Sequence, residues 1–224
     1  MPSEPQLPAE PLCLVFGDED FLVRDRAKQI YEGWCAAAGG MDHEVVDGTV
    51  RNADEALQAL AKLNEALQTL PFFGGNKVVW LRGANFLGDD RTASSAAVTD
   101  RLTELAKSWE SFDWQGVQLL ISAGKVDKRK SFLKTVKKFA ALEDKTVSEK
   151  ERGGRAAMVV RQRLDELGKK ISPHVADELI LLAGANLQQL HTEADKLAAY
   201  VGEREEVTRQ DVHEIATRTK QAAA

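Results

Sequence analysis

Residues 12–20 read LCLVFGDED, and this stretch decides the fold class of the chain. The apolar run Leu12–Phe16 predicts a buried strand, and Gly17 ends it before an amphipathic helix begins. Nucleotide-binding α/β proteins keep a phosphate loop here, with glycines and a lysine that meet phosphate oxygens at the helix N-terminus. In this chain the carboxylates of Asp18–Asp20 follow instead, and each would stabilise the positive helix end by about 0.3–1 kcal/mol and repel phosphate. The stretch therefore predicts the scaffold of a nucleotide switch without its nucleotide site.

Strand-like and helix-like segments alternate through the first two-thirds of the chain. Strands are predicted over 12–16, 43–46, 77–81 and 117–121 and within 142–147. Helices are predicted over 21–34, from a cap at Asn52 onward, and over 96–109 and 127–139. This alternation is typical of a parallel sheet covered by helices on both faces.

After Val147 the pattern contains helices alone, near 155–167, 173–182, 187–200 and 209–218. Glycines and capping residues mark their ends. We therefore expect a disordered N-terminal extension over 1–11, an α/β domain over 12–148 and a small all-α helical bundle over 149–219. The extension is assigned because it is rich in proline and acid.

Composition is that of an ordinary globular protein, with 43% hydrophobic and 29% charged residues among 224. No apolar run approaches the roughly 18 residues that a membrane span needs, and no signal peptide is evident. The two cysteines, Cys13 and Cys35, have the neighbours of small buried hydrophobes rather than of a disulfide or metal pair. We expect a cytoplasmic protein with no membrane partner.

No catalytic, cofactor or metal site can be assembled from the sequence. Gly124-Lys125 has no glycine at the required spacing before it and no Ser or Thr after it, so it is interpreted as a turn. A phospho-receiver domain also clusters acids after its first strand, but strand 77–81 ends in Arg82-Gly83 rather than in an aspartate. The histidines have neither metal spacing nor a nucleophile partner; they are His43, His174, His191 and His213.

The junction over residues 70–76 reads LPFFGGN, which is unusual because helix-to-strand loops run over the surface and are generally polar. Adjacent side chains of an extended segment point opposite ways, so Phe72 and Phe73 can hardly both face inward. Exposed aromatics beside proline and glycine favour a partner-binding site, because aromatics dominate interface hot spots. The alternative is a loop that folds back with both rings in the core.

A basic segment follows the fourth predicted strand. Between Lys125 and Lys138 there are seven basic residues against one acid, so the segment carries +6 while the whole chain carries −5. A lysine face in contact with solvent is the ordinary interpretation. The functional alternative is sequence-independent contact with DNA phosphates, for which the candidate residues are Lys125, Lys128, Arg129, Lys130, Lys134 and Lys137.

With these landmarks in place, the chain resembles the delta-subunit family of the bacterial DNA polymerase III clamp loader. The resemblance covers about 200 residues and rests on short motifs that are weak singly but specific in this order. They are Gly17–Leu22, Leu70–Gly74 before the Val78-Val79 strand, Lys125–Lys130, Gly184–Leu187 leading into Glu193–Leu197, and Val207-Thr208 with Asp211-Val212.

The resemblance implies a Rossmann-like, AAA+-type domain over 12–148 that lacks the Walker A loop, and a lid-like helical domain over 149–219. It implies a role in DNA replication: the subunit binds the ring-shaped sliding clamp, the beta subunit, and opens it for loading on primed DNA without binding ATP. The chain would then be an accessory part of a DNA-directed DNA polymerase, a nucleotidyltransferase, with no catalytic site of its own. The clamp-binding residues implied are Leu70, Pro71, Phe72 and Phe73.

The family continues into a collar domain that joins the loader subunits, whereas this chain stops at Ala224. We therefore expect a monomer in isolation, with the other loader subunits as partners that need the collar, and only weak contact with primed DNA. Two alternatives stay open on the residues alone. One is an NTPase with an atypical phosphate site, and the other is a stand-alone DNA-binding module that uses the basic helix.

Overall fold

A computed structural model describes residues 6–69, 75–148 and 151–216 of the chain. The contacts divide the described residues into two compact units, and the boundary falls between Thr146 and Val147. The first unit is α/β and the second is mainly helical.

The first unit is built on a five-stranded sheet in which every pair of neighbours is parallel. The strand order is β2-β3-β4-β1-β5. The strands are β1 Leu12–Phe16, β2 Glu44–Asp47, β3 Lys77–Arg82, β4 Val117–Ala123 and β5 Ala141–Asp144. The predicted parallel sheet is confirmed, and β1, whose five residues are all buried, occupies an inner position.

Helices cover both faces of this sheet, as the alternation of strands and helices predicts. They are α1 Asp20–Ala38, α2 Ala53–Gln68, α3 Ala96–Glu110 and α4 Ser131–Val136, with one 3-10 turn at Asn85–Leu87. Side chains of β1 alternate between the faces: Leu12 and Leu14 join the core beneath α2, α3 and α4, while Cys13 and Val15 join the core beneath α1.

Helix α2 begins where the sequence predicts. The side chain of Asn52 accepts a hydrogen bond from the backbone N–H of Glu55 at 2.9 Å, as an N-cap does. Its apolar stripe, which includes Leu60, Leu63 and Leu67, is buried in the core. Capping and periodicity therefore agree on this element.

The second unit contains four helices and one feature that the sequence did not indicate. The helices are α5 Arg152–Glu166, α6 Pro173–Ala183, α7 Leu187–Val201 and α8 Arg209–Ile215. Two short strands, β6 Lys170–Ile171 and β7 Glu206–Val207, pair in parallel. A strand of two residues is too short to leave a period-2 pattern, which is why helices alone were predicted here.

The predicted disorder of the N-terminal extension is wrong for residues 6–11, while residues 1–5 lie outside the described residues. Leu7 packs against the core beneath α1. The Arg26 guanidinium donates to the carbonyl of Gln6 at 2.7 Å, and the carbonyl of Pro11 accepts from the N–H of Leu119 at 2.8 Å. One apolar side chain and two hydrogen bonds hold this proline-rich stretch against the domain.

Candidate functional site

Because all five strands run in the same direction, their carboxyl ends lie on one side of the sheet and their amino ends on the other. In the sequence, each candidate region follows or precedes one of these strand ends. The acids after β1 and the basic segment after β4 follow the carboxyl ends of adjacent strands, with Phe16 paired to Ala123. The junction between α2 and β3 precedes Lys77, which pairs with Val117 at the amino end. The structure therefore brings the first two regions together, while the described flank of the junction, Lys77, lies at the other end of the strands.

The four clamp-binding candidates, Leu70, Pro71, Phe72 and Phe73, lie outside the described residues. Their flanks are described. Helix α2 ends at Gln68, and Thr69 follows as its cap, with both its N–H and its hydroxyl donating to the carbonyl of Glu65. On the other side β3 begins at Lys77, whose N–H donates to the carbonyl of Gly116 at 2.7 Å.

Lys77 fastens the two flanks of this junction to each other. Its side chain is only 2% exposed, and its ammonium lies 2.5 Å from a carboxylate oxygen of Glu44 and 3.2 Å from the carbonyl of Thr69. A buried ammonium is tolerated only with such partners. Sequence reasoning missed this residue, because a lysine at the first position of a strand carries no signal of burial.

At the carboxyl ends of the strands, another part of the chain crosses closely over Gly17, just after β1. The N–H of Lys145 donates to the carbonyl of Phe16 at 2.6 Å, and the N–H of Gly17 donates to the carbonyl of Gly124 at 3.3 Å. A Cβ added at Gly17 would lie 2.4 Å from the carbonyl carbon of Lys145 and 2.8 Å from the nitrogen of Thr146. Main chain from beyond β5 thus fills the space beside Gly17.

The acids after Gly17 surround the start of α1. Glu19 is the N-cap residue in an extended conformation, but among the described residues its side chain makes no capping hydrogen bond. Asp20 lies in the first turn of the helix and pairs with Arg24 at 2.9 Å, both side chains being exposed. Glu19 and Asp20 therefore act on the helix end through charge.

The basic helix predicted over 127–139 is shorter than expected, since α4 contains only Ser131–Val136. The carboxylate of Asp127 accepts from the N–H of Arg129 at 3.0 Å, and Lys130 is an extended N-cap residue. An aspartate that bonds the backbone two residues on favours a turn over a helix. Residues 137–139 form a further turn after α4, so the predicted helix over 127–139 is confirmed only for Ser131–Val136.

Most of the basic side chains are engaged within the protein. Lys128 pairs with Asp144 at 2.6 Å and lies 5.5 Å from the centre of the Phe16 ring. Lys130 donates to the carbonyl of Ala93. Arg129 bonds both carboxylate oxygens of Asp127, which lowers the pKa of that carboxyl to about 2.

Three of the candidate cations remain available to a partner. Lys125, Lys134 and Lys137 are exposed, and none of them has an ion pair or side-chain hydrogen bond among the residues that the structure describes. Lys138, which was not among the candidates, pairs with Glu110 at 2.9 Å. Of the seven basic side chains of the segment, three are therefore without a partner among the described residues.

The cysteines and two of the histidines have surroundings typical of residues that stabilise the fold. Burial raises the pKa of the Cys13 thiol to about 12, and both cysteines are free. The ring of His43 accepts from the N–H of Val78 at 3.2 Å, and His213 contacts the carboxylate of Glu178. Within the described parts of the chain, no three His, Cys, Asp or Glu side chains form a group that could hold a metal ion.

Among the helices of the described residues, none has the length and apolar character needed to cross a bilayer.

These features define a class of protein: an AAA+-like α/β domain whose first strand is followed by acids instead of a phosphate loop, together with a helical unit. The family model for the delta subunit of DNA polymerase III matches residues 14–145, which is more than half of the chain. The chain therefore belongs to the DNA polymerase III delta-subunit family.

The chain is also similar to individual proteins and solved structures. The DNA polymerase III subunit delta of Bacillus subtilis (strain 168) is 23% identical over 215 residues, which cover 93% of this chain and 57% of that protein. The solved structure of the Bacillus subtilis DNA clamp loader delta protein (YqeN) has a TM-score of 0.67 at 22% identity, covering 95% of this chain and 60% of that one. A chain of the E. coli MS115-1 HORMA:CdnC:Trip13 complex has a TM-score of 0.50 at 12% identity, covering 93% of this chain and 76% of that one. The chain thus spans less than two-thirds of the length of the two delta relatives.

Proposed function

We propose that this protein is a clamp-loader subunit of DNA polymerase III that binds the ring-shaped sliding clamp and opens it, without binding ATP itself. Membership of the delta-subunit family carries the proposal, through the match over residues 14–145. Opening would work as a difference in affinity, with the subunit binding the open ring more tightly than the closed one. In this role the chain performs no chemistry and is an accessory part of the replication machinery.

The site proposed for the clamp is the junction that contains Leu70, Pro71, Phe72 and Phe73. Two observations support it. The junction reads as apolar where a polar loop is expected, and its flanks are fastened by the buried ammonium of Lys77. An apolar contact element on fixed ends suits a partner that must be held while it is strained.

The double variant Phe72→Ala, Phe73→Ala tests this site. Burying two phenyl rings contributes about 1.5–3 kcal/mol each, so we expect clamp affinity to fall by about two orders of magnitude. Surface plasmon resonance against the cognate sliding clamp measures the change.

Leu181→Ala is the matched control, because Leu181 is 71% exposed and lies on α6 in the other unit. It removes an exposed apolar side chain that is not part of the junction, and clamp affinity should stay within about twofold. Circular dichroism would establish that each variant keeps its fold. If a folded double variant keeps its clamp affinity, the junction is not the clamp-binding site.

The remaining partners follow from the same role. We propose that the protein works with the other clamp-loader subunits and makes only weak contact with primed DNA. The weak contact fits the basic segment, where Lys125, Lys134 and Lys137 are the cations still available to phosphate among the described residues.

A further inference from the structure

The outer edge of β2 carries unpaired backbone groups. Strand β2 is the last strand of the sheet on its side, with β3 as its neighbour. Just after the strand, the N–H of Gly48 donates to the carbonyl of Arg82 at 2.7 Å and its carbonyl accepts from Asn85 at 3.4 Å, so position 48 faces β3. In a parallel ladder alternate residues face opposite sides. Val45 and Asp47 therefore direct their N–H and C=O groups outward, where no described backbone group meets them.

A groove runs along this edge, between β2 and α2. Its volume is about 580 Å³. Its far wall is one polar stripe of α2 that continues to the C-cap residue, and the members of that stripe recur on successive turns: Glu55, Gln58, Lys62, Glu65 and the cap Thr69. At 1.5 Å per residue the stripe is about 21 Å long, which is about the length of a six-residue strand. The groove has the dimensions of one added strand.

The charge of the groove is mainly negative. Among the lining residues there are four carboxylates against a single ammonium, that of Lys62. Two of the carboxylates, Glu44 and Asp47, have cationic neighbours on β3. Glu55 and Glu65 stand on the α2 wall. Glu65 is exposed to the groove, whereas the carboxylate oxygens of Glu55 accept hydrogen bonds from the N–H of Arg51 at 2.8 Å and from the side-chain amide of Asn52 at 3.3 Å.

The two faces of an added strand would meet different surroundings. Val46 is buried beneath α2, so the side chain of Val45 lies on the opposite face of the sheet, where it is 43% exposed. A strand beside β2 would therefore have alternate side chains facing the acids of α2 and the apolar surface of Val45.

We propose that this groove binds an extended peptide segment of a partner protein, with Lys or Arg alternating with apolar residues, which adds to the sheet as a sixth strand beside β2. The backbone groups of Val45 and Asp47 supply its hydrogen bonds, and the α2 acids select its positive side chains. A second copy of this chain fits less well, because a two-fold pairing of the same edge would bring like carboxylates together.

The test is an NMR titration of the intact chain with a synthetic peptide. The probe is a seven-residue peptide, acetylated and amidated, in which lysine alternates with valine or threonine. We expect the amide signals of Val45 and Asp47 to shift and their hydrogen exchange to slow. A peptide with glutamate in place of lysine should bind at least about tenfold more weakly. No response over residues 44–50, or an equal response to both peptides, would overturn the proposal.

Variants separate the two parts of the mechanism. Val45→Pro removes one outward N–H, and edge strands tolerate proline, so binding of the lysine peptide should weaken about tenfold. Glu65→Lys should weaken it at least as much and does not depend on whether the proline variant folds. Glu32→Lys makes the same charge change at an exposed site on α1 and should leave affinity within about twofold.

Two further results would count against the proposal. If Glu65→Lys leaves the peptide affinity unchanged, the acids do not select the partner. If sedimentation shows a dimer that the peptide does not dissociate, a second copy occupies the edge instead.

Discussion

Gly17 shows most directly how the backbone after β1 differs from a phosphate loop. In a phosphate loop the backbone after the first strand stays open so that its N–H groups can reach phosphate. Here the main chain at Lys145 and Thr146 lies against Gly17 and leaves no room for even a methyl group. The glycine is required by a close crossing of two backbone segments, which is a structural use that its sequence neighbours do not indicate.

Replacing Gly17 with alanine should therefore destabilise the protein. The added Cβ would approach the carbonyl carbon of Lys145 to 2.4 Å, and backbone has to move to relieve that contact. We expect a loss of about 1–3 kcal/mol in the free energy of unfolding, as for other overpacked sites, measured by urea denaturation.

Gly124→Ala is the matched control, since a Cβ at Gly124 would meet nothing within 4 Å. The two glycines are hydrogen-bonded neighbours at the same edge of the sheet. Equal stability of the two variants would show that the crossing over Gly17 can relax at no cost.

Helix α8 depends on an ionised carboxylate at its start. Asp211 and Thr208 form a reciprocal capping box, and Arg204 bonds both carboxylate oxygens of Asp211, at 2.8 and 3.1 Å. The hydrogen bonds from Arg204 are the largest cause of the lowered pKa of Asp211, which falls from 3.8 to about 2. Because the pKa is lower in the folded protein, the stabilisation is complete above about pH 4 and is lost as the pH falls towards 2.

The variant Asp211→Asn should show this dependence. We expect it to be less stable than the parent protein at pH 5 and 7, and the difference should shrink steadily between pH 4 and 2. Denaturant unfolding at each pH measures both proteins, and the comparison cancels the other carboxyls that titrate there. A difference that stays constant down to pH 2 would mean that the charge of Asp211 does not stabilise the helix start.

The basic segment around α4 should bind DNA with only a shallow dependence on salt. Three exposed cations, Lys125, Lys134 and Lys137, lack partners among the described residues. With about −0.9 per phosphate contact, the slope of log affinity against log salt should be no steeper than about −3. Fluorescence anisotropy with a labelled duplex measures the slope, and the double change of Lys134 and Lys137 to Gln should reduce it by about 2. A slope near −6 would mean that the paired cations also open to DNA.

Elements with strong periodicity and caps were predictable from sequence, and those made by distant contacts were not. Helix α2 shows both a cap and a stripe, and its start was predicted to the residue. The strand pair β6 and β7 depends on two-residue segments about 35 positions apart. The basic helix was overestimated because the local turn at Asp127 competes with helical periodicity. Lys77 was missed because its burial depends on Glu44, which belongs to another strand.

At the scale of the whole molecule, the order of the five strands and the helices on both faces belong to an AAA+-like fold, and the stretch after β1 differs from a phosphate loop. Acids follow β1, and main chain from beyond β5 fills the space beside Gly17. The fold could be predicted from sequence because alternation of strands and helices persists over the whole unit. The loss of room at β1 could not, because it needs the coordinates of β5.

We therefore expect no binding of ATP by the intact chain. Calorimetric titration with ATP and Mg²⁺ should show no saturable heat at millimolar nucleotide. The reason is electrostatic as well as steric, since the carboxylates of Asp18–Asp20 surround the helix end that phosphate would need. A micromolar dissociation constant would contradict the proposed role and favour an NTPase with an atypical site.

The ammonium of Lys77 also affects the entropy cost of closing the connection between α2 and β3. It joins the carbonyl of Thr69 to the start of β3, so the termini of the seven-residue connection 70–76 are brought together when the sheet folds. Closing a flexible connection of that length costs roughly 1.7 kcal/mol in chain entropy. Folding of the sheet already includes that cost, because the flanks Thr69 and Lys77 are held together by the ammonium. If the proposed clamp site is correct, binding does not have to supply it again.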